Sequence, residues 1–270
     1  MDQNQLIEKI VAEVVARMGA QAAKPGAAAA GRPLEPASSS AAAVPALAPS
    51  DVAKYIDHTM LRPEAPTAAF DKLCQEALTY RFLSVCVNSC RIAYVARKLQ
   101  GTGVRACSVV GFPLGAMTSR SKAFEAREAI SDGAVEIDMV INIGLLKSGD
   151  THGVEEDIRA VRRATRANTV LKVIIETALL TQDEKVMACE ISRKAGADFV
   201  KTCTGFSGGG ASVEDIALMR RVVGRDMGVK ASGGVRTYKN AIALIGAGAN
   251  RLGSVSSVAI VTGAEGTGTY

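Results

Sequence analysis

From residue 55 onward the chain repeats one pattern eight times: a short run rich in valine and isoleucine, then a longer segment with the period of a helix. The runs are YIDHT from Tyr55, FLSVCVN from Phe82, VRACSVVGFP from Val104, AVEIDMVIN from Ala134, VLKVIIET from Val170, DFVKTC from Asp198, GVKASGG from Gly228 and NRLGS from Asn250. Near-continuous apolar strands need cover on both faces, which parallel sheets obtain from the helices connecting their strands. Segments 119–130, 154–166 and 181–194 are long enough for such helices, and Thr181 with Glu184 reads as a capping box. Eight strand-helix units in about 220 residues predict an α/β fold, a closed (β/α)8 TIM barrel. An open doubly wound sheet is the structural rival, but no GxGxxG follows the first strand, so its dinucleotide-binding form loses support.

Length alone, at roughly 150 residues per domain, would suggest two domains. Composition divides the chain differently. With 48% hydrophobic and 22% charged residues the whole can bury a large core, which excludes wholesale disorder. Residues 21–50 are the exception: 12 Ala, 5 Pro, 4 Ser and 2 Gly offer almost nothing large to bury, the composition of a flexible linker. Ahead of it, Leu6, Ile7, Ile10, Val11, Val14, Val15 and Met18 recur at steps of three and four, one face of an amphipathic helix within residues 1–20. The expected organisation is therefore a helix at 1–20, a linker at 21–50 and a barrel at 51–270.

Asp2, Glu8, Lys9, Glu13 and Arg17 interrupt the apolar pattern of the first residues, unlike a signal peptide, and no apolar run reaches the roughly 18 residues of a membrane span. A soluble, cytoplasmic protein is expected. Lys9, Arg17, Lys24 and Arg32 balance Asp2, Glu8, Glu13 and Glu35, so the net charge of +5 belongs to residues 51–270 and the tail has no pull toward anionic lipid. Scattered basic residues with only 4% aromatics argue against nucleic acid as a partner. The six cysteines form no CxxC pair, and the histidines, His58 and His152, complete no zinc spacing; reduced thiols and no structural metal are expected.

In a barrel the reacting groups sit at the carboxyl ends of the strands or on the loops that follow. Lys201 in ADFVKTC and Lys230 in GVKASGG stand inside apolar strands where an amine is normally excluded, as do Asp138 in VEIDMVIN and Asp57 in KYIDHT. A lysine attacks carbonyls only when unprotonated, which burial or a second cation nearby promotes. Two lysines facing one interior would supply both, with Asp138 to move protons. Taken singly, each lysine reads first as an amine that snorkels to solvent or pairs with an acid; the two together, with an aspartate on a third strand, favour the chemical reading. Glycine and serine mark a second constellation: Ser232-Gly233-Gly234 after strand seven, Gly253-Ser254 with Ser256 after strand eight, and Thr204-Gly205 after strand six, ahead of Gly208-Gly209-Gly210. These are the loops where barrels bind phosphate through backbone N–H groups, although glycine after a strand is also ordinary turn chemistry.

The segments YIDHTMLRPEA (55–65), SVCVNSC (84–90), VVGFPLGA (109–116), EIDMVINIG (136–144), LKVIIET (171–177), ADFVKTCTGF (197–206) and VKASGGVRT (229–237) closely resemble the deoxyribose-phosphate aldolase family, in order and spacing, across nearly all of residues 51–257. The resemblance implies a class I aldolase that cleaves 2-deoxy-D-ribose 5-phosphate reversibly to D-glyceraldehyde 3-phosphate and acetaldehyde, with neither metal nor added cofactor. It implies Lys201 as the Schiff-base lysine, Lys230 as the neighbour that depresses its pKa, and Asp138 as the proton-transfer residue acting with a water. Asp57 would join the polar network around the substrate, and Thr204, Gly205, Gly233, Gly234, Ser254 and Ser256 would hold the phosphate. Tyr270 resembles the C-terminal tyrosine that some members place over the site. Val255 departs from the family, standing where a hydroxyl is usual. The first 50 residues also lie outside the basic fold, and a short amphipathic helix on an Ala/Pro linker resembles the encapsulation peptides of bacterial microcompartments; shell or cargo proteins are then expected partners of residues 1–20. Docking on the enzyme's own surface and self-association are the alternatives for that helix, and a homodimer is the working expectation for the barrel. A lysine-dependent lyase for another phosphorylated sugar and a non-catalytic scaffold are the competing functions.

Overall fold

The computed structural model describes residues 47–264, 266 and 268. The expected helix at 1–20, most of the 21–50 linker and Tyr270 lie outside them. A 3-10 turn, Pro49–Tyr55, leads into the first strand, with Val52 and Ala53 buried. Eight strands follow: β1 (Ile56–Met60), β2 (Ser84–Val87), β3 (Arg105–Val110), β4 (Glu136–Val140), β5 (Val170–Ile174), β6 (Phe199–Lys201), β7 (Gly228–Ser232) and β8 (Arg251–Ser254). Each pairs in parallel with the next and β8 closes on β1, so the sheet is the expected barrel and the open-sheet rival is set aside.

Nine helices among the described residues complete the alternation: α1 (Thr67–Tyr80), α2 (Ile92–Leu99), α3 (Ser119–Ser131), the short α4 (Ile143–Lys147), α5 (Thr151–Ala164), α6 (Gln182–Lys194), α7 (Val213–Val223), α8 (Tyr238–Gly246) and α9 (Ser257–Thr262). The Thr181 and Glu184 capping box forms as the sequence predicts, each side chain bonding the other's backbone N–H. Helix α5 starts three residues earlier than its apolar period suggests, because Asp150 caps it by accepting from Gly153 N at 2.8 Å. No helix among the described residues is long and apolar enough to cross a membrane.

Alternation along each strand divides the interior into two environments. Residues such as Val85, Ile137, Met139, Leu171, Val173, Val200, Val229 and Leu252 join the helices in one large apolar cluster outside the sheet. Their neighbours point into the barrel, where the apolar cluster is small: Leu61, Cys86, Cys107 and Val109, with Phe112 packed against them. Barrel interiors are ordinarily filled by branched aliphatic side chains. Much of this one is filled by charge.

Among the described residues, one ion pair outside the barrel is fully buried. Lys122 on α3 donates to Asp157 on α5 at 2.5 Å and to the Val140 carbonyl at 2.8 Å, tying two helices to the end of β4. Replacing Lys122 by Met leaves a buried carboxylate without its cation, and a loss of about 3–5 kcal/mol in unfolding free energy is expected. Pairing it with Asp157→Leu restores most of that loss. Denaturant titration of the single and double variants checks both outcomes.

Candidate active site

Strand β4 turns Glu136 and Asp138, two residues apart, to the same inward face. The adjacent strand supplies Lys172, in register with Asp138, and β6 and β7 set Lys201 and Lys230 side by side in register. Asp138 lies at the centre. Its Oδ2 accepts from Lys201 Nζ at 2.9 Å and from Lys230 Nζ at 2.7 Å, while Oδ1 accepts from Lys172 Nζ at 2.8 Å. Lys172 also meets Glu136 at 2.6 Å, and Lys230 meets Asp57. Asp57 in turn accepts from Ser84 Oγ at 2.6 Å and from two nitrogens of Arg251 at 2.6 and 3.0 Å, and Arg251 reaches Glu136 at 2.6 Å. None of these seven charged side chains is more than 4% exposed.

In this buried network four cations meet three carboxylates, and the three lysines differ in how firmly they are held. Lys172 has two close carboxylates and Lys230 has two, whereas Lys201 has one. Burial opposes ionisation of Asp138, but Lys172, Lys201 and Lys230 outweigh it and hold its pKa well below the usual carboxylate range. Burial likewise opposes the charge on Lys230, and the Asp138 and Asp57 carboxylates overcome it, pushing that amine's pKa up. Lys230 is thus a fixed cation beside Lys201. A Cβ at Gly253 would come 2.6 Å from Ser232 Oγ and 3.2 Å from Lys230 Cε, so the absent side chain on β8 is what gives Lys230 its room.

Three loops meet above the lysines. Gly233 (φ +90°) and Gly234 (φ +72°) follow β7 in the left-handed region, Ala211 N donates to Gly233 O at 2.9 Å, and a Cβ at Gly210 would strike that same carbonyl at 2.9 Å. Ser254 Oγ donates to Val235 O at 2.7 Å, tying the loop after β8 to the loop after β7. Ser256 N donates to Ser254 Oγ at 2.9 Å, and Ser256 Oγ is buried without a protein partner. Thr204 is differently engaged: its N–H and hydroxyl both donate to Glu176, at 3.2 and 2.5 Å. Glu176 is 1% exposed and has φ +56°, a left-handed backbone uncommon outside glycine. The Glu176 carboxylate therefore pins the start of the Thr204–Gly205 loop, and the Thr204 donors are spent on it.

A cavity of about 280 Å³ bounded by Leu61, Asn88, Phe112 and Phe206 opens on this side, and Leu61 and Phe112 continue into the interior cluster of Cys86 and Cys107. Larger hollows of about 640 and 470 Å³ lie around Phe199 and Gly228 and around Arg105 and Val135, at the opposite, amino ends of the strands. Cys86, Cys107 and Asp138 bring their donor atoms within 4.8 Å of one another, but ammonium groups already occupy both Asp138 oxygens. That trio is a poor home for a divalent cation.

Lys201, Lys230, Asp138 and Asp57 thus converge as the sequence suggested, and Lys172, Glu136, Arg251 and Glu176 are participants it did not single out. The strand alternation carried a signal for Glu136, two residues before Asp138, and for Arg251, two before Gly253. A parallel barrel with lysines buried in its interior, one of them closing its strand, is the architecture of an enzyme that works through an amine. The profile described as DeoC/LacD family aldolase matches residues 51–263, and the chain belongs to that family. It is 59% identical over 215 residues to a deoxyribose-phosphate aldolase of Brevibacillus brevis, covering 80% of this chain and 97% of the relative. It is 58% identical over 217 residues to that of Streptococcus sanguinis, covering 80% and 98%. The solved deoxyribose phosphate aldolase of Aeropyrum pernix, described as a tetramer, superimposes with a TM-score of 0.75 at 33% identity, covering 80% of this chain and 91% of its own.

The network makes stability depend on pH in a definite sense. Asp57, Glu136 and Asp138 have folded pKa values below their ordinary 3.8 to 4.5, so their contribution is complete above that range and drains away as pH falls from it through the lower folded values. Lys172 and Lys230 are raised above 10.5, so theirs is complete below that value and is lost as pH rises beyond it. Urea titrations across pH should show a plateau from about pH 5 to 10 with losses on either side.

Proposed function

We propose that the protein cleaves 2-deoxy-D-ribose 5-phosphate reversibly to D-glyceraldehyde 3-phosphate and acetaldehyde, with Lys201 as the amine that becomes covalently attached. The single observation that carries the residue assignment is the shared Asp138 oxygen: Lys201 and Lys230 both donate to it, and only Lys230 has a second carboxylate. A neutral Lys201 evens the charge count of the buried network at three against three. It adds to the aldehyde carbon of the open-chain sugar, and with uptake of a proton relayed by water and loss of water it forms an iminium. The C3 hydroxyl then gives up its proton, the C2–C3 bond breaks, its electron pair passes into an enamine, and glyceraldehyde 3-phosphate leaves. Protonation at C2 and addition of water release acetaldehyde and restore the amine. Asp138, kept ionised by its lysines, is the base that relays these protons through a water, and Lys230 holds a positive charge beside the iminium-forming nitrogen.

Gly233, Gly234 and Ser256 are the phosphate-binding candidates best supported by geometry, since their loops are bonded to one another and Ser256 Oγ has no protein partner, while Ser254 stays a candidate whose hydroxyl is engaged by Val235. Gly205 stays a candidate through its backbone, and Thr204 supports the loop through Glu176. Phosphate binding remote from the breaking bond helps orient the reacting carbons. Self-association of the barrel is supported by the tetrameric relative. The partner reading of residues 1–20 is supported by their position, since the family match starts at residue 51.

Lys201→Ala is expected to lower cleavage of 2-deoxyribose 5-phosphate by at least about 10³-fold, read through coupled detection of glyceraldehyde 3-phosphate. Borohydride with acetaldehyde should trap a two-carbon adduct on Lys201 of the unaltered protein; an adduct mapped to Lys172 or Lys230 overturns the assignment. Residues 1–20 fused to a fluorescent protein should give punctate fluorescence in cells making microcompartment shells, and diffuse signal there refutes encapsulation.

A further inference from the structure

His58 lies on β1 next to Asp57, and the alternation of the strand turns it away from the lysines. It is 3% exposed and takes no part in the chemistry above. Both ring nitrogens are nonetheless engaged. Nε2 meets Glu76 of α1 at 2.8 Å, and Nδ1 meets Ser257 Oγ at 2.9 Å. The ring is held by Phe82, with centroids 5.0 Å apart.

Ser257 opens α9 immediately after the β8 loop, and its hydroxyl lies 3.0 Å from the Ser254 carbonyl. Ser254 is the hub of that loop: its hydroxyl bonds Val235 of the neighbouring loop and receives Ser256 N. A chain of hydrogen bonds therefore runs from a surface-facing glutamate through His58 and Ser257 to the backbone that carries Ser256. A cavity of about 320 Å³ borders this loop, lined by His58, Glu76, Val255 and Ser256 among others. With open space on that side in place of packed side chains, directional bonds must define where the loop sits. Val255 adds no hydroxyl to help.

We propose that His58 is a positioning residue for the acceptor phosphate: backed by Glu76 and acting through Ser257 and Ser254, it sets affinity for a phosphorylated aldehyde without touching it. The inference rests on the aldolase reading. Because Nδ1 is the working nitrogen, the two amide replacements divide the relay. Asn places its amide where Nδ1 stood and keeps the Ser257 partner, whereas Gln reaches only to Glu76.

The test measures acetaldehyde addition to D-glyceraldehyde 3-phosphate and to unphosphorylated D-glyceraldehyde. His58→Gln and Ser257→Ala are expected to raise KM for the phosphorylated acceptor about tenfold, equivalent to about 1.4 kcal/mol, with kcat and the KM for D-glyceraldehyde within twofold. His58→Asn should stay within about threefold of the unaltered protein on both. An unchanged KM for the phosphorylated acceptor in His58→Gln, or an equal rise for both acceptors, overturns the proposal. Should His58→Gln fail to fold, Ser257→Ala and Glu76→Gln read the same split. Calorimetric binding of inorganic phosphate separates this idea from the reading beneath it. Weaker phosphate binding in Ser257→Ala supports the relay and equal binding refutes it, whereas absence of deoxyribose phosphate cleavage by the unaltered protein refutes the aldolase reading alone.

Discussion

Asp138 receives three lysine nitrogens on two oxygens in a buried setting, and most of the interior is arranged to make that state tolerable. A lone buried carboxylate would be protonated, and a lone buried lysine would be neutral. Held together with Asp57, Glu136 and Arg251, Asp138, Lys172 and Lys230 keep their charges while buried. The position of the network follows from the fold, since only a closed parallel barrel brings the inward faces of β1, β4, β5, β6, β7 and β8 to one place. Removing any single member strands its partner, so the cluster behaves as a unit.

The unequal share of carboxylate among the lysines is what gives the cluster a chemistry as well as a structure. Lys172 and Lys230 are saturated, and Lys201 is not. The loops above add a second inequality. Glu176 takes the donors of Thr204 for itself, and Val235 takes the hydroxyl of Ser254, whereas the Ser256 hydroxyl has no protein partner.

How much of this was legible beforehand depended on whether a residue's meaning was local. The eight strands and the Thr181 capping box rest on periodicity and neighbours a few positions apart, and both were readable. Lys201, Lys230, Asp57 and Asp138 were visible as charges in apolar runs. Lys172 and Arg251 carried the same mark but became interpretable only once strand register set Lys172 beside Asp138 and the closed barrel let the Arg251 side chain reach Asp57. Glu176 and Thr204 were less accessible still, because their pairing depends on a left-handed backbone at Glu176 that no spacing announces. Lys122 and Asp157 lie 35 residues apart on helices whose polar residues look like ordinary surface.

The split between the two faces of each strand has a practical consequence for anyone altering this protein. Odd and even positions of a strand address separate compartments, one an oil-like shell shared with the helices, the other an ionic lattice around the reacting amine. Substitutions aimed at heat tolerance can be confined to the first, and those aimed at new aldehydes to the loops over the second. The two searches then draw on different residues and can be combined with little interference.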